Sequence, residues 1–132
     1  MRLLDSDTCI HILRGSAPII DFFAALSPGS VFISSITYHE LRYSALHSGM
    51  NRSRHLHSLD DFCSELEIFP FTAKSSRHSA AVREKLATLG TPIGPLDTLI
   101  AGHALEHELI LVTGNVREFS RVQGLTIENW FE

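Results

Sequence analysis

Short runs of β-branched, aromatic and aliphatic residues alternate along this chain with longer stretches in which apolar residues recur every three or four positions. The short runs predict strands and the longer ones predict helices. Arg2 to Leu4 leads into Asp5 as a first strand, and Thr8 to Arg14 reads as a helix stopped by Gly15. Ala17 to Leu26 is a second helical stretch, closed by Ser27-Pro28-Gly29. Val31-Phe32-Ile33 is a strand, after which Ser34-Ser35 offers an N-cap for a helix to about Ser48. Leu56, Leu59, Cys63 and Leu66 recur at helical spacing. Leu66 to Phe69 is a strand ended by Pro70, and Thr72 to Leu89 a long helix with Val82, Leu86 and Leu89 on one face and Gly90 at its end. The Pro92-Ile93-Gly94-Pro95 loop opens an apolar helix from Leu96 to Glu106. Leu109 to Val112 is the clearest strand, and Leu125 to Ile127 a final short one.

Four or five short strands separated by helices specify an α/β protein with a mainly parallel sheet. Right-handed crossovers place helices on both faces. In such sheets ligands bind beyond the carboxyl ends of the strands, near a switch in strand order. The residues that follow each strand therefore carry the chemistry.

The 132 residues fit one domain, 1–132, and 44% hydrophobic with 20% charged content is globular rather than disordered. A net charge of −4 and a pI near 6.0 do not suggest a bulk nucleic-acid binder. Cys9 and Cys63 make neither a disulfide framework nor a CxxC zinc site, and both read as buried small hydrophobes. Asp5 interrupts the amino terminus too early for a signal peptide, and no apolar run approaches the ~20 residues of a membrane span. The expectation is a cytoplasmic protein without membrane association.

Three acids are wedged into apolar surroundings, where an unpaired carboxylate is costly. Asp5 ends the first strand, with Asp7 two residues on as a rival helix cap. Glu40 shares a helical face with Ile36, Tyr43 and His47. Asp97 opens an apolar helix. Singly, each is explained as a helix cap or as an ion-paired surface acid, Glu40 with Arg42 or Arg77. Jointly, with Asn115 after the clearest strand, they converge on one crevice of a parallel sheet. Three carboxylates there would repel one another and raise their pKa values. A bound divalent cation offsets that repulsion, and oxygen donors favour Mg²⁺, with Mn²⁺ as substitute, over zinc. Metal-dependent phosphodiester hydrolysis is the chemistry that follows.

Four blocks in order then resemble the PIN-domain family, and within it the VapC-type toxins of type II toxin–antitoxin pairs. They are Leu3-Leu4-Asp5-Ser6-Asp7-Thr8-Cys9-Ile10, Ile33-Ser34-Ser35-Ile36-Thr37-Tyr38-His39-Glu40-Leu41, the run from Pro92 to Ala104, and the tail from Val112 to Phe119 with Val122-Gln123-Gly124-Leu125 and Glu128-Asn129-Trp130. The resemblance implies a PIN-like three-layer α/β/α fold and a Mg²⁺-dependent endoribonuclease. It puts the family's three acids on Asp5, Glu40 and Asp97, the catalytic set, with Asn115 at the variable fourth acidic position of the metal site. Asp7 stands where many relatives have Asn, in support of the first acid. Glu118 is near in sequence without being placed in the site. The resemblance also implies an RNA substrate, a small cognate antitoxin protein and a homodimer. The alternative it leaves open is a catalytically weak PIN domain that binds RNA or protein.

Other signals are weaker. Asp5-Ser6-Asp7-Thr8 departs from the haloacid-dehalogenase motif at Cys9. His103 and His107 share a helix face, but the His-Glu-x-x-His order is absent and a packed helix face is the expected role. Between His39 and His57 lie four His and three Arg with Glu40 the one acid, which reads either as a solvated surface or as a contact for RNA phosphates.

Overall fold

The computed structural model describes residues 1–131. Five strands form one sheet: β1 (Arg2–Leu4), β2 (Val31–Ser34), β3 (Glu67–Phe69), β4 (Ile110–Val112) and β5 (Ile127–Glu128). Their order is β3-β2-β1-β4-β5, and every neighbouring pair is parallel. Parallel strands cannot be joined by tight turns, so the helices α1 (Ser6–Leu13), α2 (Ile19–Ala24), α3 (Ser35–Leu46), α4 (Arg52–Cys63), α5 (Ala73–Thr88), α6 (Pro95–Glu106) and α7 (Val116–Phe119) serve as the crossovers. From β1 the chain adds strands outward on one side through β2 to β3. It then returns to the other side of β1 for β4 and β5, so the switch in order lies between β1 and β4.

Side-chain alternation along these short strands builds two cores. Leu3, Phe32 and Leu111 are in register and face α5, α6 and α7, where Val82, Leu86, Ile100, Ala101, Ala104 and Phe119 cover them. Leu4, Ile33 and Val112 face the opposite way, against Cys9, Ile12, Ile19, Leu41, Leu59, Phe62 and Trp130 from α1 to α4 and the carboxyl end. Buried on both faces, the central strands read as continuous apolar runs, as parallel sheets require. The result is the three-layer α/β/α architecture.

Helix ends follow the chemistry of their sequences. Gly15 and Gly90 take positive φ (69° and 71°) where α1 and α5 stop, a conformation that costs glycine little. Ser34 caps α3 by accepting the Ile36 N–H at 3.1 Å. Thr72 and Ser75 form a reciprocal capping box at the start of α5.

Four expectations are corrected. Leu89 lies at the C-cap of α5 and is 63% exposed, because the turn toward Gly90 carries it off the Val82–Leu86 face. The last strand falls at Ile127–Glu128, where backbone pairing with Leu111 and Val112 is available. The buried face of α3 is Thr37, Leu41 and Ala45, so the face holding Glu40, Tyr43 and His47 is turned partly to solvent. Cys9 is fully buried, whereas Cys63 is only partly so.

α5 and α6 pack backbone to backbone at Gly102. A Cβ built there would stand 2.4 Å from Ser79 Cα and 2.5 Å from Ser79 N. Neither atom can move without shifting the helix. Gly102→Ala is therefore expected to destabilise the protein by about 1–3 kcal/mol or more, read as a lowered urea midpoint.

Candidate functional site

Asp5 follows β1 directly, and parallel pairing sets it beside Thr113 at the end of β4: the Asp5 N–H donates to Val112 O at 3.1 Å. Its carboxylate caps α1, accepting the Thr8 N–H at 2.9 Å. Asp5, not Asp7, does the capping; Asp7 is exposed and approaches His11 at 3.8 Å. Capping and a role in the site are not exclusive, because the cap uses one face of the carboxylate. Burial raises the Asp5 pKa, opposed by hydrogen bonds from Thr113 and Thr8, while the Asp7 charge adds to the rise.

Asp97 sits in the first turn of α6. The expected capping role is not seen: Gly94 is the N-cap residue, and both Thr98 N–H and Thr98 Oγ1 donate to Gly94 O, at 2.9 and 3.0 Å. The Asp97 carboxyl is thus free of local structural duty. It faces the loop after β4, where Asn115 Nδ2 donates to Asp97 Oδ2 at 3.2 Å and to Glu118 Oε2 at 2.9 Å. Asn115 is itself fixed by its N–H donating to the buried Thr113 Oγ1 at 2.9 Å.

The electrostatics of this cluster are those of crowded acids. Asp97 is pushed up to about 6 by burial first, then by Glu118 and by the charge of Asp5, with Asn115 opposing. Glu118 is held below its ordinary value, chiefly by the Asn115 amide. In the metal-free protein one proton is thus retained between two neighbouring carboxyls below about pH 6, and Asp97 carries it.

This predicts a signed pH effect. Folded Asp97 (about 6) binds protons more tightly than the unfolded chain (3.8). Its contribution to stability therefore falls as pH rises from about 4 to 6 and is constant above that window. Asp97→Asn removes the effect. In chelator, the variant should gain stability over wild type progressively from pH 4 to 6. The gain is on the order of 1 kcal/mol, allowing for solvent screening. Urea melts at pH 4, 5, 6 and 7.5 measure it.

Of the four residues expected in the site, the structure brings Asp5, Asp97 and Asn115 together at the carboxyl ends of β1 and β4, the switch point of the sheet. Glu118, one turn beyond Asn115, joins them. The sequence signal for it was available, since an acid three residues after Asn115 on a helix returns to the same face. Glu40 lies on α3. It lines a shallow depression with Ser6, Ile10, Tyr43 and Ser44. Among the described residues no hydrogen bond or ion pair links it to the other acids or to Arg42 or Arg77; Arg42 approaches Asp60 instead, at 3.9 Å. Asp5, Glu40 and Asp97 do not bring three carboxylate oxygens within 4.8 Å of one another. The one trio of His, Cys, Asp or Glu side chains among the described residues whose ligand atoms, one from each, lie that close is His103, Glu106 and His107.

The donor set of the crevice fits a hard divalent cation. Asp5, Asp97 and Glu118 offer only oxygens, and two of the three have their charged forms disfavoured, which a cation would relieve. Asn115 turns its Nδ2 toward both carboxylates. Ligation through its carbonyl oxygen requires the amide to turn over.

Part of the positive stretch between His39 and His57 is neutralised locally: α4 supplies Asp60 toward Arg42 and Asp61 at 3.4 Å from His57. Arg52 and Arg54 remain exposed. No helix among the described residues is long and apolar enough to cross a membrane.

Comparison with known proteins agrees with this architecture. The PIN domain family model matches residues 2–125. The chain is 39% identical over 128 residues to a tRNA(fMet)-specific endonuclease VapC of Salmonella typhimurium, covering 97% of this chain and 96% of that protein. It is 40% identical over 130 residues to ribonuclease VapC2 of Rickettsia felis, with the same coverage. Among solved structures, VapBC2 of Rickettsia felis bound to a DNA fragment from its promoter superposes with a TM-score of 0.91 at 33% identity, covering 98% of each chain.

Proposed function

The chain belongs to the PIN-domain family, and we propose that it is a divalent-metal-dependent endoribonuclease that hydrolyses RNA phosphodiester bonds as the toxin of a type II toxin–antitoxin pair. The observation that carries this reading is the convergence of Asp5, Asp97, Asn115 and Glu118 at the switch point of the sheet, with Asp97 raised to about 6 by burial and then by its acidic neighbours. The whole of 1–132 is read as a single PIN-like domain acting in the cytoplasm.

In this reading Asp5, Asp97 and Glu40 are the catalytic acids, and Asp5 and Asp97 hold Mg²⁺, or Mn²⁺ in its place. When bound, the dication supplies an activated water and offsets charge on the phosphoryl group in flight. The remaining work belongs to the chain. Thr8 N–H and Thr113 orient the Asp5 carboxylate, leaving its other face to the crevice. Asn115 fixes the spacing of Asp97 and Glu118. Glu118 restores the negative charge that Asn115 lacks at the fourth acidic position, which favours catalysis over the degenerate alternative. Glu40 completes the acid set from the flank of α3.

Relatives named as tRNA(fMet)-specific endonucleases make structured tRNA the first substrate class to test. The VapBC complexes support a small antitoxin as partner. Exposed Tyr43, Leu46 and Met50 on and after α3 provide apolar surface for a homodimer, which gel filtration measures. The test of function is incubation of purified protein with a panel of tRNAs and other structured RNAs in Mg²⁺, Mn²⁺ or chelator, with end mapping of products. Discrete Mg²⁺-dependent cuts are expected. Intact RNA under every metal condition would overturn the proposal.

A further inference from the structure

At the far end of α6 from Asp97, three residues in the order His-x-x-Glu-His project from one face: His103, Glu106 and His107. Their ring nitrogens and carboxylate oxygen all lie within 4.8 Å of one another. His107 Nε2 is 3.3 Å from Glu106 Oε1, and His103 Nε2 is 4.0 Å from the same oxygen. His103 is fully buried, and its Nε2 is the one buried side-chain nitrogen or oxygen without a hydrogen-bond partner among the described residues. A buried imidazole nitrogen left without a partner in a packed core needs an explanation, because its desolvation is otherwise uncompensated.

We propose that His103 Nε2, His107 Nε2 and Glu106 Oε1 form a second cation site, separate from the carboxylate crevice, for a borderline divalent transition metal of the Zn²⁺ class. Two imidazoles and one carboxylate are a zinc-type donor set, unlike the all-oxygen crevice. With metal–ligand distances of about 2.1 Å, a tetrahedral site has ligand–ligand edges of roughly 3.4 Å, so the 3.3 Å edge is already formed and the 4.0 Å edge needs a small side-chain movement.

The surrounding contacts are those of a supported metal site. His103 Nδ1 lies 2.8 Å from Ser34 Oγ, and with Nδ1–H donating there, Nε2 presents its lone pair. Ser75 Oγ donates to Glu106 Oε1 at 2.6 Å. Phe71 meets the His103 ring edge to face at 5.3 Å, and Phe69 covers His107 at 4.7 Å, so the rings are confined. The His107 side chain is 38% exposed, which gives an ion access and leaves solvent to complete the coordination. The site joins the end of β2, the first turn of α5 and the last turn of α6. Its occupancy would fasten three elements that otherwise meet around an unsatisfied nitrogen. Along the helix it stands roughly 9–15 Å from Asp97, at 1.5 Å per residue.

The test uses the full chain, stripped of metal and then held in excess Mg²⁺ to fill the carboxylate crevice. Zn²⁺ is titrated calorimetrically, and Co²⁺ is followed by its visible absorption. The expected result is one equivalent of Zn²⁺ per chain, a rise in Tm, and Co²⁺ bands of low-symmetry coordination. His107→Ala, at the partly exposed ligand, and Glu106→Gln should each weaken Zn²⁺ binding by roughly tenfold or more and abolish the Co²⁺ bands. Asp97→Asn and a His55→Ala/His57→Ala control should leave both unchanged. Zn²⁺ binding that survives His107→Ala and Glu106→Gln at wild-type affinity, or that disappears in Asp97→Asn, would overturn the proposal. So would failure of the wild-type protein to bind Zn²⁺.

Discussion

Asp97→Asn should cut RNA at least about a hundredfold more slowly than wild type at saturating Mg²⁺, with its circular dichroism and melting cooperativity unchanged. The loss is assigned to charge and not to shape. Asparagine is nearly isosteric with aspartate, and its carbonyl oxygen can still accept from Asn115 Nδ2, which now bonds Asp97 at 3.2 Å. No helix cap is lost, because Gly94 and Thr98 make the first turn of α6 without the carboxylate. What disappears is the negative charge that burial, Glu118 and Asp5 have made costly and that a dication would offset. Initial rates on an end-labelled RNA measure the effect. A rate within threefold of wild type would remove Asp97 from the catalytic set.

The largest effect on stability is expected at the opposite border of the sheet. Trp130→Ala should cost about 3–5 kcal/mol, the range for emptying a buried aromatic site. Trp130 is 1% exposed and packs with Leu4, Cys9, Ile12 and Val112. Its ring stacks on Phe22 at 5.8 Å with 15° between planes. Its Nε1 donates to Glu128 Oε1 at 2.6 Å, and the same carboxylate takes both Arg2 bonds, at 3.0 and 3.2 Å. One side chain thus ties the carboxyl end to β1 and to the face packed by α1 and α2. Trp130→Phe should recover part of the packing but not the hydrogen bond, and so fall between the two. Urea melts followed by circular dichroism report the cost, because the chain's single tryptophan is the residue removed. Cleavage by Trp130→Ala at low temperature should follow its folded fraction, since the side-chain hydrogen bond of Trp130 goes to Glu128 and not to Asp5, Asp97 or Glu118.

The strands and the stops were legible because single residues decide them. Apolar runs of three or four residues between helices leave little choice but buried parallel strands, and Gly15 and Gly90 mark the ends of α1 and α5. Asp5 and Asp97 stood out jointly, because helix capping accounts for each acid alone but not for two of them in apolar surroundings after β1 and at the start of an apolar helix. Helix faces were less legible. The pattern gives spacing but not rotation, so Glu40 was set on a buried stripe that α3 in fact builds from Thr37, Leu41 and Ala45. Glu118 and the His103 trio were only partly legible in the sequence, for different reasons. Glu118 needs the sheet order to bring α7 against α6. The orphaned His103 nitrogen becomes visible only once Ser34, Phe69, Phe71 and Ser75 close around it. The acidic net charge has a local origin. It is concentrated in part where a cation would neutralise it, and says little about an RNA partner.

The central claim is that acids at the switch point of the sheet cut RNA with a bound dication. The most direct measurement compares wild type and Asp5→Asn on one cleavable RNA, each in Mg²⁺ and in chelator. Wild type should cleave in Mg²⁺ alone, and Asp5→Asn in neither condition. Cleavage by Asp5→Asn at the wild-type rate, or by wild type undiminished in chelator, would contradict it.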